Sequence, residues 1–158
     1  MTAAQIFLGI MAEGGGWKDR KAGDVLGKDP KAANKDDLRA LSFRETLRLF
    51  HALPPANIES LSGEYVAEII PAGVFAPLAA FFTHTFFGPG RWQGKAFRAI
   101  STVEGEGYNI FSGKNGEGVR RVRRFKTCIA LSRFDGKPSF QLDYGPFNGG
   151  LVKSMRDE

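Results

Sequence analysis

Residues Val119–Asn148 read VRRVRRFKTCIALSRFDGKPSFQLDYGPFN, and this stretch decides the fold. Two strand-like runs flank Phe134-Asp135-Gly136-Lys137. An Asp-Gly pair between such runs is the strongest short-range hairpin signal, because both residues tolerate the left-handed backbone of a tight turn. A two-residue turn at Asp135-Gly136 sets Leu131 opposite Phe140, Ile129 opposite Leu142 and Thr127 opposite Tyr144. Ala130 then faces Gln141, and Cys128 faces Asp143. One face is apolar and aromatic, the other small or polar, and a one-residue slip would scramble the two. Carried back along the strand, the same alternation puts Arg121 and Arg123 in phase with Phe125 and Ile129. A guanidinium in phase with a core face must be paired or solvated, since an unpaired buried charge is very unfavourable. A bulge in the strand would instead turn both arginines to water.

Strand signals continue toward the N-terminus. Glu64 to Ile70 alternates, with Tyr65, Ala67 and Ile69 on one side and Glu64 and Glu68 on the other, as in a half-buried strand. Trp92 to Thr102 reads as a second strand with Phe97 prominent; Gly105 and Gly107 break it, and Tyr108 to Phe111 begins a third. Lys114-Asn115-Gly116 carries the next turn, and Val152 to Met155 starts a last strand. Short strands and glycine-rich turns following helices predict a mainly β fold, an antiparallel sheet of about six to eight strands curled into a barrel. The ending Arg156-Asp157-Glu158 leaves a barrel edge to close. The barrel is therefore expected to be open, truncated at its C-terminal side, or covered there by the N-terminal arm.

Helical signals precede and interrupt the strands. Ser42-Phe43-Arg44-Glu45 matches the capping box, and Phe43, Leu47 and Phe50 follow on one helical face until Pro54-Pro55. His51 lies near the C-terminal end of this helix, where the dipole favours a proton; a packing or capping role is expected. Ala3 to Met11 reads as a short helix ended by Gly14-Gly15-Gly16, and Trp17 to Asp37 as a polar surface loop. These signals predict an N-terminal arm with a short helix over 1–41 and a single helix-plus-barrel domain over 42–158. Val74 to Phe87 is almost wholly apolar and long enough for a helix, either a core helix, a lid over a cavity, or a segment that docks a homodimer or another protein.

The chain has 158 residues, enough for one domain with a genuine core. Its 22 basic against 17 acidic residues give +5, a weak preference for anionic partners. Arg120-Arg121-Val122-Arg123-Arg124 is basic but lacks an interleaved stacking platform, so nucleic-acid binding is not expected. The single cysteine, Cys128, excludes an internal disulfide, and His51 and His84 lack metal-ligand spacing, so no metal or cofactor is expected. No run reaches the length of a transmembrane helix and the N-terminus lacks a basic leader segment; a cytoplasmic location is the expectation.

Gly90-Arg91-Trp92-Gln93-Gly94 is a literal Gly-x-Trp-x-Gly, and Leu53-Pro54-Pro55 ends the helix before it. Leu61-Ser62-Gly63-Glu64-Tyr65 is similar to the Gly-x-Trp opening of lipocalin-type barrels, with Tyr for Trp. With Phe134-Asp135-Gly136-Lys137-Pro138, Leu142-Asp143-Tyr144 and Met155-Arg156-Asp157-Glu158, the chain from about Leu47 onward resembles small lipocalin-like, calycin-type proteins of the GXWXG-domain kind. In those proteins a further strand follows the Arg-Asp-Glu. The resemblance implies a barrel and a cavity, and no particular reaction.

These readings converge on binding of a small hydrophobic or amphipathic, possibly anionic, ligand in an aromatic-lined cavity. The candidate ligand-binding residues are Tyr65, His84, Trp92, Phe97, Tyr108, Arg123, Phe125 and Tyr144. The alternatives are a small enzyme of isomerase or cyclase type using the same cavity, with His84, Asp143, Tyr108 or Tyr144 as acid–base groups, and a non-catalytic interaction subunit. No nucleophile motif, phosphate loop or paired-carboxylate motif is present.

Overall fold

The computed structural model describes residues 21–69, 76–113 and 118–158. The chain divides into two compact units. One comprises the described residues up to Pro54 together with Leu131–Lys137; the other comprises Pro55–Ala130 and Pro138–Glu158.

The first unit is helical. Helix α1 (Ala22–Leu26), a 3-10 turn (Pro30–Ala32), α2 (Lys35–Ala40) and α3 (Phe43–Ala52) follow one another. The surface loop expected up to Asp37 is thus three short helical turns in its described part, from Lys21 onward. Their origin is local capping, which hydrophobic periodicity does not report: Asp29 accepts from the Lys31 amide, and Asn34 from the Asp36 and Asp37 amides. The expected helix at Ala3–Met11 lies outside the described residues. Helix α3 forms as expected, with the Ser42 amide donating to Glu45 Oε2 at 2.8 Å and the Glu45 amide to Ser42 Oγ at 3.3 Å. Its Leu47 and Leu49 are buried.

The hairpin loop belongs to this unit. The Ser132 amide donates to the Lys137 carbonyl at 2.8 Å, and the Gly136 amide to the Ser132 carbonyl at 3.0 Å. Asp135-Gly136 therefore sits inside a wider loop than the expected two-residue turn. The closing pair moves by two residues along the first strand, an even number, so each residue keeps its face. Asp135 explains the wider loop. Its Oδ1 accepts the Lys137 amide at 3.0 Å, and its Oδ2 lies 2.8 Å from His51 Nδ1 at the end of α3. His51 thus has the packing role expected of it.

The second unit is a six-stranded sheet in the order β1-β2-β3-β4-β5-β6: Gly63–Val66, Gly90–Ala99, Glu104–Gly113, Val119–Leu131, Pro138–Asp143 and Arg156–Asp157. Pairing is antiparallel, and the order starts at β1 and ends at β6. The expected barrel is not closed. Its edge strands have only four and two residues, too little ladder to join the edges. Strand β1 is exposed throughout rather than half-buried, as befits an edge. Gly105 and Gly107 lie within β3 instead of breaking the chain. A Cβ on Gly107 would stand 2.0 Å from the Ala96 carbonyl oxygen and 2.6 Å from the Phe125 ring, so these glycines are there for packing. Val152–Met155 is not a strand: a 3-10 helix spans Gly150–Ser154, and β6 follows. The turn at Lys114-Asn115-Gly116 lies outside the described residues.

The apolar segment is helical where described, as α4 (Ala76–Phe81) and a π turn (Phe82–Phe86). Its phenylalanines do not act together as a lid: Phe87 is buried, whereas Phe81 and Phe82 are exposed. The core of this unit is Phe87, Phe111, Phe125, Leu142 and Tyr144, with Trp92, Phe97, Phe140 and Met155 among the residues packed against it. Phe125, Thr127, Leu142 and Tyr144 are buried on the expected face, but Ile129 and Leu131 are exposed. The apolar face of β4 runs past the end of the aromatic cluster that covers it. Among the described residues no helix is long and apolar enough to cross a membrane.

Burial alone would raise the Asp135 carboxyl, but the Lys137 amide, the His51 imidazole and the Lys137 charge together hold it below its usual range. A carboxylate so depressed stabilises the fold above its unfolded value near pH ~4, and that contribution is lost as pH falls through the lowered folded value. Asp135→Asn should therefore cost about 1.5–3 kcal/mol at neutral pH, as for a hydrogen bond to a charged group. Urea denaturation should show the gap from wild type closing under strongly acidic conditions.

Candidate functional site

Alternation along the central strands gives the sheet of the second unit two chemically different faces. On one face, Trp92, Lys95 and Phe97 of β2 meet Asn109 and Phe111 of β3, Phe125 of β4 and Tyr144 just after β5. The rings interlock at edge or tilt: Phe97–Phe125 at 5.6 Å, Phe125–Tyr144 at 5.4 Å and Phe87–Tyr144 at 5.8 Å between centroids. Contacts of this kind are worth about 0.5–1.5 kcal/mol each beyond the area they bury.

A polar chain runs through these rings. Trp92 Nε1–H donates to Asn109 Oδ1 at 3.0 Å. Asn109 Nδ2 donates to the Arg123 carbonyl at 3.1 Å and to Tyr144 Oη at 3.2 Å. Lys95 Nζ donates to Tyr144 Oη at 2.6 Å and to Asp157 Oδ2 at 2.9 Å, and Tyr144 Oη donates to Asp157 Oδ2 at 3.0 Å. The Lys95 ammonium lies 5.7, 5.3 and 5.3 Å from the ring centres of Trp92, Phe125 and Tyr144, where each quadrupole attracts a cation. Burial, and then the Asp157 charge, push the Tyr144 hydroxyl far above the usual phenol range. Tyr144 is accordingly a fixed hydrogen-bond donor and not a base.

Beside Trp92 opens a pocket of about 580 Å³. Val66, Ala67, Ile69, Ala80 and Trp92 supply its apolar wall, and Glu68, His84, Arg91 and Gln93 its polar groups. The Gly-x-Trp-x-Gly motif builds one side. A Cβ on Gly90 would come within 1.9 Å of the Ser112 carbonyl oxygen, and one on Gly94 within 2.0 Å of the Tyr65 carbonyl oxygen. Only glycine allows both neighbouring strands to close on β2 here. A bulge between Trp92 and Gly94 keeps Trp92 and Lys95 on the same side. The Trp92 amide donates to His84 Nδ1 at 3.2 Å, which leaves the Nε2 of neutral His84 as a donor. Arg91 is exposed, and its guanidinium has no side-chain partner among the described residues.

The opposite face carries mutual ion pairs. Glu64 accepts from Arg121 Nε at 2.6 Å and from the Tyr108 hydroxyl at 2.8 Å. Those two bonds hold the Glu64 carboxyl below its usual range and raise the Tyr108 hydroxyl. Glu106 pairs with Arg98, and with Arg124 at 3.1 Å. A cavity of about 450 Å³ lies among these groups, Phe97 and Ala96.

The structure thus distributes the residues singled out in the sequence over three places. Trp92, Phe97, Phe125 and Tyr144 come together as a packed cluster, with Tyr65 against Phe97 at its edge. Trp92 also lines the pocket with His84, and Tyr108 lies on the other face. Arg123 does not enter a cavity: it sits at φ 56° in a bulge where Asn109 pairs with Val122 and Gly107 with Phe125. The extra residue breaks the alternation, so Arg121 falls on the ion-paired face and Arg123 Nε donates to the Phe87 carbonyl at 3.0 Å. Asp143 is tied to Arg156. Sequence reading missed Lys95, Asn109 and Asp157. Lys95 stands two residues before Phe97, in phase with it, and that was a legible signal; nothing local marks the other two.

Among the described residues no three His, Cys, Asp or Glu side chains form a metal-ligand cluster. Comparison with protein-family models, with curated proteins and with solved structures finds no match for the chain.

Alkaline titration followed by ultraviolet difference absorbance should show that Tyr144 ionises only as the protein unfolds. Tyr144→Phe should remove that late step and lower stability by about 1–3 kcal/mol, because it strips a partner from Lys95, Asn109 and Asp157 at once.

Proposed function

We propose that this protein binds a small amphipathic anion in the pocket beside Trp92. One observation carries the reading: an apolar wall of Val66, Ala67, Ile69, Ala80 and Trp92 stands next to two donors, Arg91 and His84, that the fold leaves for a ligand. The wall suits a hydrocarbon or aromatic body, and the guanidinium suits a carboxylate, sulfonate or phosphate head. The head group sits on the Arg91 side, away from Glu68. The likeness of Gly90-Arg91-Trp92-Gln93-Gly94 to small lipocalin-like ligand-binding barrels supports the same class of function. Acid–base catalysis has less support, since the Tyr144 hydroxyl is held protonated and Asp143 is engaged by Arg156.

Titration with anilinonaphthalene sulfonate, whose fluorescence rises in apolar surroundings, tests this. Wild type should give a saturable enhancement, and Arg91→Ala should weaken it about tenfold, the equivalent of ~1.4 kcal/mol. No enhancement, or equal affinity in a folded Arg91→Ala protein, would overturn the reading.

The exposed Phe81 and Phe82 favour a second role for the same helical segment, as a contact with another protein chain. Sedimentation should then show self-association that Phe81→Ser abolishes; a monomer at all concentrations would count against self-association.

A further inference from the structure

Asp157 stands where a ligand carboxylate would stand. Its Oδ2 receives both Lys95 Nζ, at 2.9 Å, and the Tyr144 hydroxyl, at 3.0 Å. The receiving side is rigid. Tyr144 is wholly buried, Asn109 orients its hydroxyl, and Trp92 and the Arg123 carbonyl orient Asn109 in turn. Lys95 belongs to β2, deep in the sheet order, and its ammonium is surrounded by three rings.

The donating side is slight. Strand β6 has two residues and pairs only at Leu142 and Asp143. Around Asp157, the Tyr144 amide reaches the Met155 carbonyl at 3.4 Å, and Ser139 Oγ reaches Glu158 at 3.4 Å, both long for hydrogen bonds. The Arg156–Asp143 ion pair is the remaining polar tie. The Asp157 side chain is 39% exposed against 19% for Lys95, so the carboxylate reaches inward from the solvent side onto a more protected cation. Met155, packed against the aromatic cluster, would leave with β6 and free apolar space beside the cation.

We propose that Lys95, Tyr144 and the surrounding rings are a recognition site for a small aromatic carboxylate, and that Asp157 is an internal carboxylate which such a ligand displaces. The site is separate from the pocket at Arg91 and His84 and does not depend on that reading. An incoming carboxylate recovers both of the bonds that Asp157 makes, its ring takes the place of Met155, and Asp157 passes into water that it already touches. No charge is left unpaired in the protected interior at the end of the exchange. The tethered carboxylate competes at high effective concentration, so wild type binds weakly and loss of the Asp157 charge tightens binding.

The test uses naphthoate, titrated calorimetrically into the full chain. Asp157→Asn should bind about tenfold or more tightly than wild type, and adding Lys95→Met should abolish that binding while adding Arg91→Ala leaves it unchanged. In wild type, saturating naphthoate should speed amide hydrogen exchange at Met155–Asp157. A folded Asp157→Asn protein that binds no better than wild type overturns the proposal. So does binding that survives Lys95→Met, or binding lost with Arg91→Ala, which would place the probe in the other pocket. Should Asp157→Asn not fold, the exchange measurement decides: unchanged or slowed exchange at Met155–Asp157, or no saturable binding to wild type, overturns it.

Discussion

A phenol hydroxyl inside an aromatic cluster must find partners or the cluster is destabilised by about 1–3 kcal/mol. Much of the second unit's architecture answers that one requirement. Tyr144 Oη draws Asn109 from β3, Lys95 from β2 and Asp157 from β6 to a single point. Each partner brings needs of its own, met by Trp92, by the Arg123 carbonyl and by three aromatic faces. The rings alone could slide past one another; the polar chain through them fixes which residue of each strand faces inward.

Two bulges make that chain reachable. The one at Trp92–Gly94 keeps the indole and the Lys95 ammonium on the same side although three positions separate them, an odd spacing that regular alternation would split. The one at Arg123 turns a backbone carbonyl toward Asn109 and a guanidinium toward the Phe87 carbonyl. A non-glycine residue at φ 56° is uncommon, and here the strain is offset by two hydrogen bonds that a regular strand would lack.

Legibility in the sequence followed the range of the interactions. The α3 cap at Ser42 and Glu45, the antiparallel pairing and the shared face of Phe125, Thr127, Leu142 and Tyr144 rest on periodicity or on contacts within a few residues, and all are readable. The turn was misjudged because the pull on Asp135 comes from His51, far away in the chain. The arginine phase was misjudged because a bulge leaves no mark in composition. Barrel closure was inferred from the number of strand signals, whereas closure depends on the length of the edge strands. Asn109 and Asp157 were invisible for the same reason as His51: their meaning exists only once strands remote in sequence are side by side.

The charges show the same logic and bear on what the protein can hold. Strand β4 is rich in arginine, yet its described cations are largely committed: Arg121 to Glu64, Arg124 to Glu106, Arg123 to the Phe87 carbonyl. A polyanion needs a row of cations that can each meet a phosphate, and pairing to neighbouring carboxylates removes that row. What remains are single cations beside apolar walls, Arg91 next to Trp92 and Ile69, and Lys95 among Trp92, Phe125 and Tyr144. One positive point charge set against an apolar surface complements a molecule with one anionic end and one greasy end. The basic balance of the sequence therefore bears on function less through its size than through the two places where the fold leaves a cation beside apolar side chains.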